Sequence, residues 1–289
     1  MGWPLRGSMP SHHAGHRSAP EGRRHNRESW GGGVDRHSTR DRLIGELAAA
    51  LGAARSEGRQ TQETAVRLAA AAIRADPDLV AALLREIISD RRLAADVSRR
   101  SYWHSNGFAK LVVHVSDEPD FRLRLHVWPA DGRHGSGYEN VHNHRWPFAS
   151  IVLGGAIRVE HFQEVDDFAQ PGTLVCNRLV YEAAAPGRVG GMRLEGRRAL
   201  RRVGTPVYPA GTVYFCDTGT LHTVTRARGG TAATLMLAGA ATGNDALVYQ
   251  DIQREPLTDT DRAIGRDEVR KLAGEALTAM RAAGLAERR

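Results

Sequence analysis

The sequence predicts a mainly β protein: an antiparallel barrel or sandwich with a helical segment before it and a helix after it. Three observations carry that prediction. From about Phe108 onward apolar residues recur at every second position in many short runs, each cut off by Gly, Pro or Asp, as half-buried antiparallel strands require. Between 39 and 100 they recur every three or four residues, as on one face of a helix. A last stripe of the helical kind, Val269, Leu272, Ala273, Ala276, Leu277 and Met280, comes near the end.

Residues 1–38 are Gly, Pro, Ser, His and Arg with almost no apolar content, too little to offset the entropy of ordering, so a disordered basic tail is expected there. In the helical segment, 39–100, Leu43, Leu47 and Leu51 repeat every four residues, and Val66, Ala70 and Ile73 continue the spacing. Asp76 followed by Pro77 reads as an N-cap with proline at the first helical position, and Val80, Leu83, Leu84, Ile87 and Ile88 form the apolar stripe behind it. No compact helix–turn–helix with a polar recognition face is present, so these helices are expected to pack on the β region C-terminal to them. In the barrel, 101–250, Leu123, Leu125 and Val127 alternate with Arg122, Arg124, His126 and Trp128. Further strands are expected at 149–153, 156–162, 174–180, 212–216, 221–225 and 233–238. The mixed stretch 163–203, with Arg193, Arg197, Arg198, Arg201 and Arg202, is expected to be an exposed insertion. Residues 251–289 form a C-terminal helical extension whose helix is expected to begin near Thr258.

Composition narrows the class. At 289 residues, 41% hydrophobic and 25% charged, the chain is neither collagen, a coiled-coil rod nor wholly disordered. No run approaches the ~18–20 apolar residues of a membrane helix, and the first forty residues hold no apolar core of a signal peptide. Two cysteines, Cys176 and Cys216, make no disulfide framework; a cytoplasmic protein is expected. The formal charge of +7 is largely in the tail: the first forty residues hold seven arginines against three acids, whereas 101–250 hold fifteen basic against thirteen acidic residues. The expected partner is therefore a small-molecule substrate rather than nucleic acid or a membrane, with a homodimer through exposed sheet edges left open.

The stretch Val141-His142-Asn143-His144-Arg145-Trp146-Pro147-Phe148 carries the most chemistry. On a strand, residues i and i+2 share a face, so His142 and His144 can offer two imidazoles to one metal. The pair comes after a Gly-rich turn (Gly132, Gly135, Gly137), and Gly154-Gly155 closes the next strand. Later, Gly211 to Leu221 reads as a strand and a tight turn, after which His222 opens another strand.

These two stretches resemble the motifs of the cupin superfamily, over roughly residues 101–250. The first, G-x5-H-x-H-x3,4-E-x6-G, is matched at His142, His144 and Gly155. The second, G-x5-P-x-G-x2-H-x3-N, is matched at Gly211, Gly219 and His222, with Asp217 in the proline place and Arg226 in the asparagine place. The resemblance implies a double-stranded β-helix, or jelly-roll, barrel. Where cupins usually carry a ligand glutamate this chain has Phe148, so the implied metal ligands are three histidines, His142, His144 and His222. That feature and the order of elements are similar to the cysteine dioxygenase-like cupins, and by position Lys110 lies near their carboxylate-gripping arginine. The cysteine of that group is Phe148 here, and its late tyrosine is replaced at Ala238 and Gly239.

Three neutral imidazoles leave Fe(II) its full +2 charge and adjacent open positions, which suits a bidentate anionic substrate. Zinc with one water would support hydrolysis or isomerisation instead; nickel or manganese are further alternatives to iron. The leading expectation is an iron dioxygenase or other oxygenase acting on a small anionic substrate, thiol-containing ones included, whose acid group Lys110, Arg124 or Arg145 neutralises. The alternatives are an O2-independent isomerase or lyase, and a non-catalytic small-molecule-binding cupin. Glu160, beside His161, is the candidate substitute ligand, with water as the other. Tyr138 and Trp146 are read equally as pocket walls or as aromatic core packing, His126 as a satisfied structural histidine before a cavity wall, and Cys216 as a buried small apolar residue.

Overall fold

The computed structural model describes residues 38–56, 62–104, 106–132, 139–182, 191–253 and 262–287. The tail expected at 1–38 lies outside these residues except for Ser38, as do Gly135, Gly137, Tyr138 and Thr258. Among the described residues four helices come first: α1 (Thr39–Ser56), α2 (Gln62–Ala75), α3 (Pro77–Ser89) and α4 (Arg91–Ser98). The cap of α3 is as the sequence reads: Pro77 opens it and the Asp76 carboxylate accepts from the Leu79 N–H at 3.0 Å, satisfying one of the helix's orphan donors.

Fourteen strands follow among the described residues: β1 (Tyr102–His104), β2 (Phe108–Asp117), β3 (Asp120–Trp128), β4 (Val141–His142), β5 (Phe148–Gly154), β6 (Ala156–Val165), β7 (Thr173–Glu182), β8 (Gly191–Gly204), β9 (Val207–Pro209), β10 (Val213–Cys216), β11 (Leu221–Arg226), β12 (Ala232–Ala238), β13 (Asp245–Asp251) and β14 (Arg262–Ala263). The final helix, α5 (Arg266–Ala282), buries all six residues of the stripe read from the sequence. It begins well after Thr258, at the extended Gly265.

The strands form two antiparallel sheets. The first runs β10-β5-β12-β3-β2-β1-β14 and the second β11-β4-β13-β7-β8-β6-β9, with β11 also pairing to β6. This is a mainly β jelly roll of the cupin type with helices at both ends. The first sheet is covered twice. Leu111 and Val113 of β2, Leu123, Leu125 and Val127 of β3, Ile151 and Leu153 of β5, and Leu235 and Leu237 of β12 share one core with the buried faces of the helices. The opposite face of the same strands supplies Phe108, Trp128, Phe148, Val152 and Met236 to a second, interior cluster. The period-2 pattern of β3 reads as a half-buried strand, yet its second face does not simply meet bulk water. The polar side chains there, Arg124 and His126, line a cavity.

The Arg-rich stretch expected as an exposed insertion is instead part of the second sheet. β8 pairs with β7 from Gly191 to Arg201 and with β6 from Ala199 to Gly204, and Ala199 and Leu200 are fully buried. Three of its five arginines are matched by acids, mostly on neighbouring strands: Arg193 with Glu182 and Glu195, Arg198 with Glu164, and Arg202 with Glu160.

Candidate metal centre and its cavity

Strand pairing assembles the histidines. His142 on β4 is the register partner of His222 on β11, and antiparallel partners place their side chains on one face of the sheet. His144 lies two residues beyond His142. Ring centroids are 4.8 Å apart for His142 and His144, 4.8 Å for His142 and His222, and 5.1 Å for His144 and His222. One nitrogen from each ring lies within 4.8 Å of the others. Asn143, between the first two, braces the arrangement: its amide donates to the Thr218 carbonyl at 2.9 Å and its oxygen accepts from the Leu247 N–H at 2.6 Å. Asp217, in the proline place of the second motif, accepts from the N–H groups of Gly219 and Thr220 at 2.9 and 2.8 Å. A carboxylate thus closes the turn that delivers His222.

The donor set fits a divalent ion. The Nδ1 atoms of His142 and His222 face the carbonyls of Asn140 and Thr220 at 2.9 and 3.2 Å. A carbonyl only accepts, so both rings carry their proton on Nδ1 and leave Nε2 with a free lone pair, the usual outer support of a metal-binding imidazole. Burial, then repulsion from His142, takes His222 down to about 3 and His144 well below the ordinary histidine value. Both are therefore neutral, as ligation needs.

Phe148, in the usual glutamate place, does reach the site, with its ring edge-on to His144 at 4.9 Å. It contributes an apolar wall where a carboxylate would have been. Glu160 is not the substitute. His161, its neighbour, is in register with His222, so Glu160 falls on the other face, where it accepts from Arg202 at 2.9 Å. The carboxylate that does adjoin the triad is Glu139, which is 5% exposed. Its Oε1 lies 3.9 Å from His142 Nε2 and accepts from Asn106 Nδ2 at 2.6 Å, and its Oε2 accepts from the Val224 N–H. Burial raises its carboxyl above the usual range, opposed by His142 and these hydrogen bonds.

The triad lines a cavity of about 540 Å³ that also receives Lys110, Arg124 and Arg145, the cations named from the sequence. Arg124 and Arg145 each hold their guanidinium 5.1 Å from the centroid of Trp146. Burial, then repulsion from Arg122 and Arg145, lowers Arg124 to about 10 despite nearby Tyr102, so it stays charged at neutral pH. Among the described residues no carboxylate forms an ion pair with Arg124. Lys110 donates to the Tyr102 hydroxyl at 2.8 Å. His126 is a cavity wall and not a satisfied core histidine: its Nε2 is buried without a hydrogen-bond partner among the described residues. His104 stacks on Phe108 at 4.9 Å, and burial holds it neutral, down to about 2. Cys216 is buried with Sγ 3.4 Å from His222 Nδ1. Glu139, Tyr102, His104 and Asn106 do not stand out in the sequence; His104 alone has a usable signal, its place in the short alternation that opens the sheet.

No family model and no curated protein matches this chain. Among solved structures it is similar to hydroquinone 1,2-dioxygenase PnpCD, solved with Cd2+ and 4-hydroxybenzonitrile, at 15% identity over 46% of this chain and 64% of that one, TM-score 0.27. Hydroquinone 1,2-dioxygenase from Sphingomonas sp. TTNP3, with 4-hydroxybenzoate bound, gives 15% identity over 46% and 66%, TM-score 0.27. The Drosophila melanogaster CENP-C cupin domain gives 11% over 48% and 69%, TM-score 0.25. The match spans less than two thirds of either dioxygenase chain. Fold and site together define a cupin-type barrel with a three-histidine group able to hold a metal ion. Among the described residues no helix is long and apolar enough to cross a membrane.

Proposed function

We propose that this protein is a non-haem iron oxygenase of the cupin type, a dioxygenase acting on a small anionic substrate in the cytoplasm. His142, His144 and His222 hold the metal. The observation that carries the reading is that a partly buried arginine, Arg124, without a carboxylate partner among the described residues, shares one cavity with the three-histidine group. A cation partly withdrawn from water gains from a partner that neutralises it, and the acid group of a substrate would do so.

The residues divide the work. Arg124 takes the acid group, with Arg145 and Lys110 strengthening the positive field. Trp146 fixes the planes of both guanidiniums. Phe108, Trp128 and Phe148 exclude water from the reacting end, and His126 Nε2 meets a polar group of the substrate. Iron, when bound, supplies the redox capacity and the site for O2. The three-histidine set is the one implied by resemblance to cysteine dioxygenase-like enzymes, so thiol-bearing acids belong in the first substrate screen.

The test is metal content of the purified protein beside His142→Ala, followed by O2 uptake with small carboxylic and thiol acids. Near-stoichiometric iron lost in the variant, and O2 uptake lost in His222→Ala, are expected. Stoichiometric zinc with anaerobic turnover would replace the oxygenase by an isomerase or lyase. No metal in wild type would leave a binding module.

A further inference from the structure

We infer that Glu139 is the fourth protein donor of the metal centre, a carboxylate contributed from before the H-x-H pair rather than after it. The inference rests on the metal reading and extends it to a residue that no motif names.

The first support is charge. Glu139 is 5% exposed, and among the described residues no lysine or arginine forms an ion pair with it. An ionised carboxylate so placed is unfavourable alone, and a divalent ion held by three imidazoles keeps its full +2 charge. Set side by side, each offsets the other's cost.

The second is position. Oε1 lies 3.9 Å from His142 Nε2, closer than the 4.8 Å within which the triad's own donor atoms lie. Nε2 is the atom of His142 left free by the Nδ1 contact to Asn140. Donors on one ion at about 2.1 Å each are roughly 3.0–3.5 Å apart, so the Glu139–His142 pair is within about 1 Å of the spacing of two ligands on one ion.

The third is lone pairs. A carboxylate has about four acceptor sites. Asn106 takes one on Oε1 and the Val224 N–H takes one on Oε2, which leaves Oε1 a second lone pair on the His142 side. The two bonds also explain how the side chain is held. Val224 is two residues past His222 on β11, so one strand positions a ligand and the carboxylate together.

The experiment compares wild type, Glu139→Gln, Glu139→Asp and Asn106→Ala. Two quantities are read: Fe(II) affinity by chelator competition, and the visible spectrum of the Co(II)-loaded protein. Glu139→Gln is expected to lose at least ten- to a hundredfold in affinity, on the order of the loss for a supporting group or more, and to change the Co(II) bands. Asn106→Ala, which removes a hydrogen bond but no charge, keeps the wild-type bands. Should Glu139→Gln fail to fold, Glu139→Asp serves, since it keeps the charge and shortens the reach; its bands are expected to shift. Wild-type bands and affinity within twofold in a folded Glu139 variant would overturn the inference while leaving the metal centre intact. A wild-type protein that binds neither metal would remove the centre itself, and this role with it.

Discussion

The seat of α5 on the barrel gives a sharp prediction through Gly154, the last residue of β5. A Cβ built there would lie 2.5 Å from Ala279 Cβ, 2.6 Å from the Ala279 carbonyl carbon and 2.8 Å from its oxygen. Carbon atoms rest at about 3.5–4.0 Å, so Gly154→Ala forces the helix and sheet apart by about 1 Å. Overfilling a packed core costs roughly 1–3 kcal/mol, while exchanging glycine for alanine within a strand returns roughly 0.5–1 kcal/mol. The expected net loss is about 1–2 kcal/mol, or a Tm lower by roughly 2–4 °C at this chain size. Ala279→Gly in the same chain removes the Cβ contact but not the two backbone ones, so it restores only part of the loss. Gly274→Ala is the control: it lies in α5 with nothing within 4 Å of its Cβ, and should gain up to about 1 kcal/mol. Thermal and urea unfolding of metal-free protein measure all four. A Gly154→Ala protein as stable as wild type would mean that α5 does not sit on β5.

Two more outcomes are expected from the cavity. Arg124→Met should keep the metal yet raise KM for the acid found in the O2-uptake screen by about 10- to 150-fold, the worth of a charged hydrogen bond of about 1.5–3 kcal/mol; equal losses for the acid and its neutral amide would refute the role. Acid should destabilise the metal-free protein: His104 and His222 are held at about 2 and about 3, by burial first, against an ordinary 6.5, so below 6.5 the unfolded chain binds more protons and stability falls with pH. Each contributes up to about 1.4 kcal/mol per pH unit, His126 acts in the same direction, and the raised carboxyl of Glu139 opposes them singly. Urea unfolding at pH 7.5 and 5.5 reads the difference, and a flat profile would refute it.

What the sequence shows most clearly is what repeats. The alternation of β3, the stripe of α5 and the Asp76 cap are local patterns, and each survives into the fold. The two histidine stretches are legible because strand spacing alone places His142 and His144 on one face. β8 is hidden because its exposed arginines look like a solvated loop; the acids that match them, Glu160, Glu164 and Glu182, belong to other strands. Glu160 and His161 show the limit of alternation: it says that they face opposite ways, and only pairing with β11 decides which faces the site. Gly154-Gly155 reads as a turn, which is true of Gly155, at φ 67°. Gly154 serves the approach of a helix more than a hundred residues later. Glu139 sits in irregular chain, and its partners, Asn106 and Val224, are 33 and 85 residues away.

The double coverage of the first sheet bears on how the cavity keeps its shape. Leu123, Leu125 and Val127 are fully buried against the helices, each held by roughly 1.5–3 kcal/mol of apolar burial. Because the strand period is two, a slip of one residue would carry these three into the cavity and drive Arg124 and His126 into the helical core. The helices therefore fix the register of β3 from outside. Arg124 is aimed at the cavity by contacts made on the opposite face of its own strand. The helical segment is thus a structural half of the site, although none of its described residues lines the cavity. Substitutions at Leu123 or Leu125 would act on the site through the position of Arg124 and His126, without touching the metal ligands.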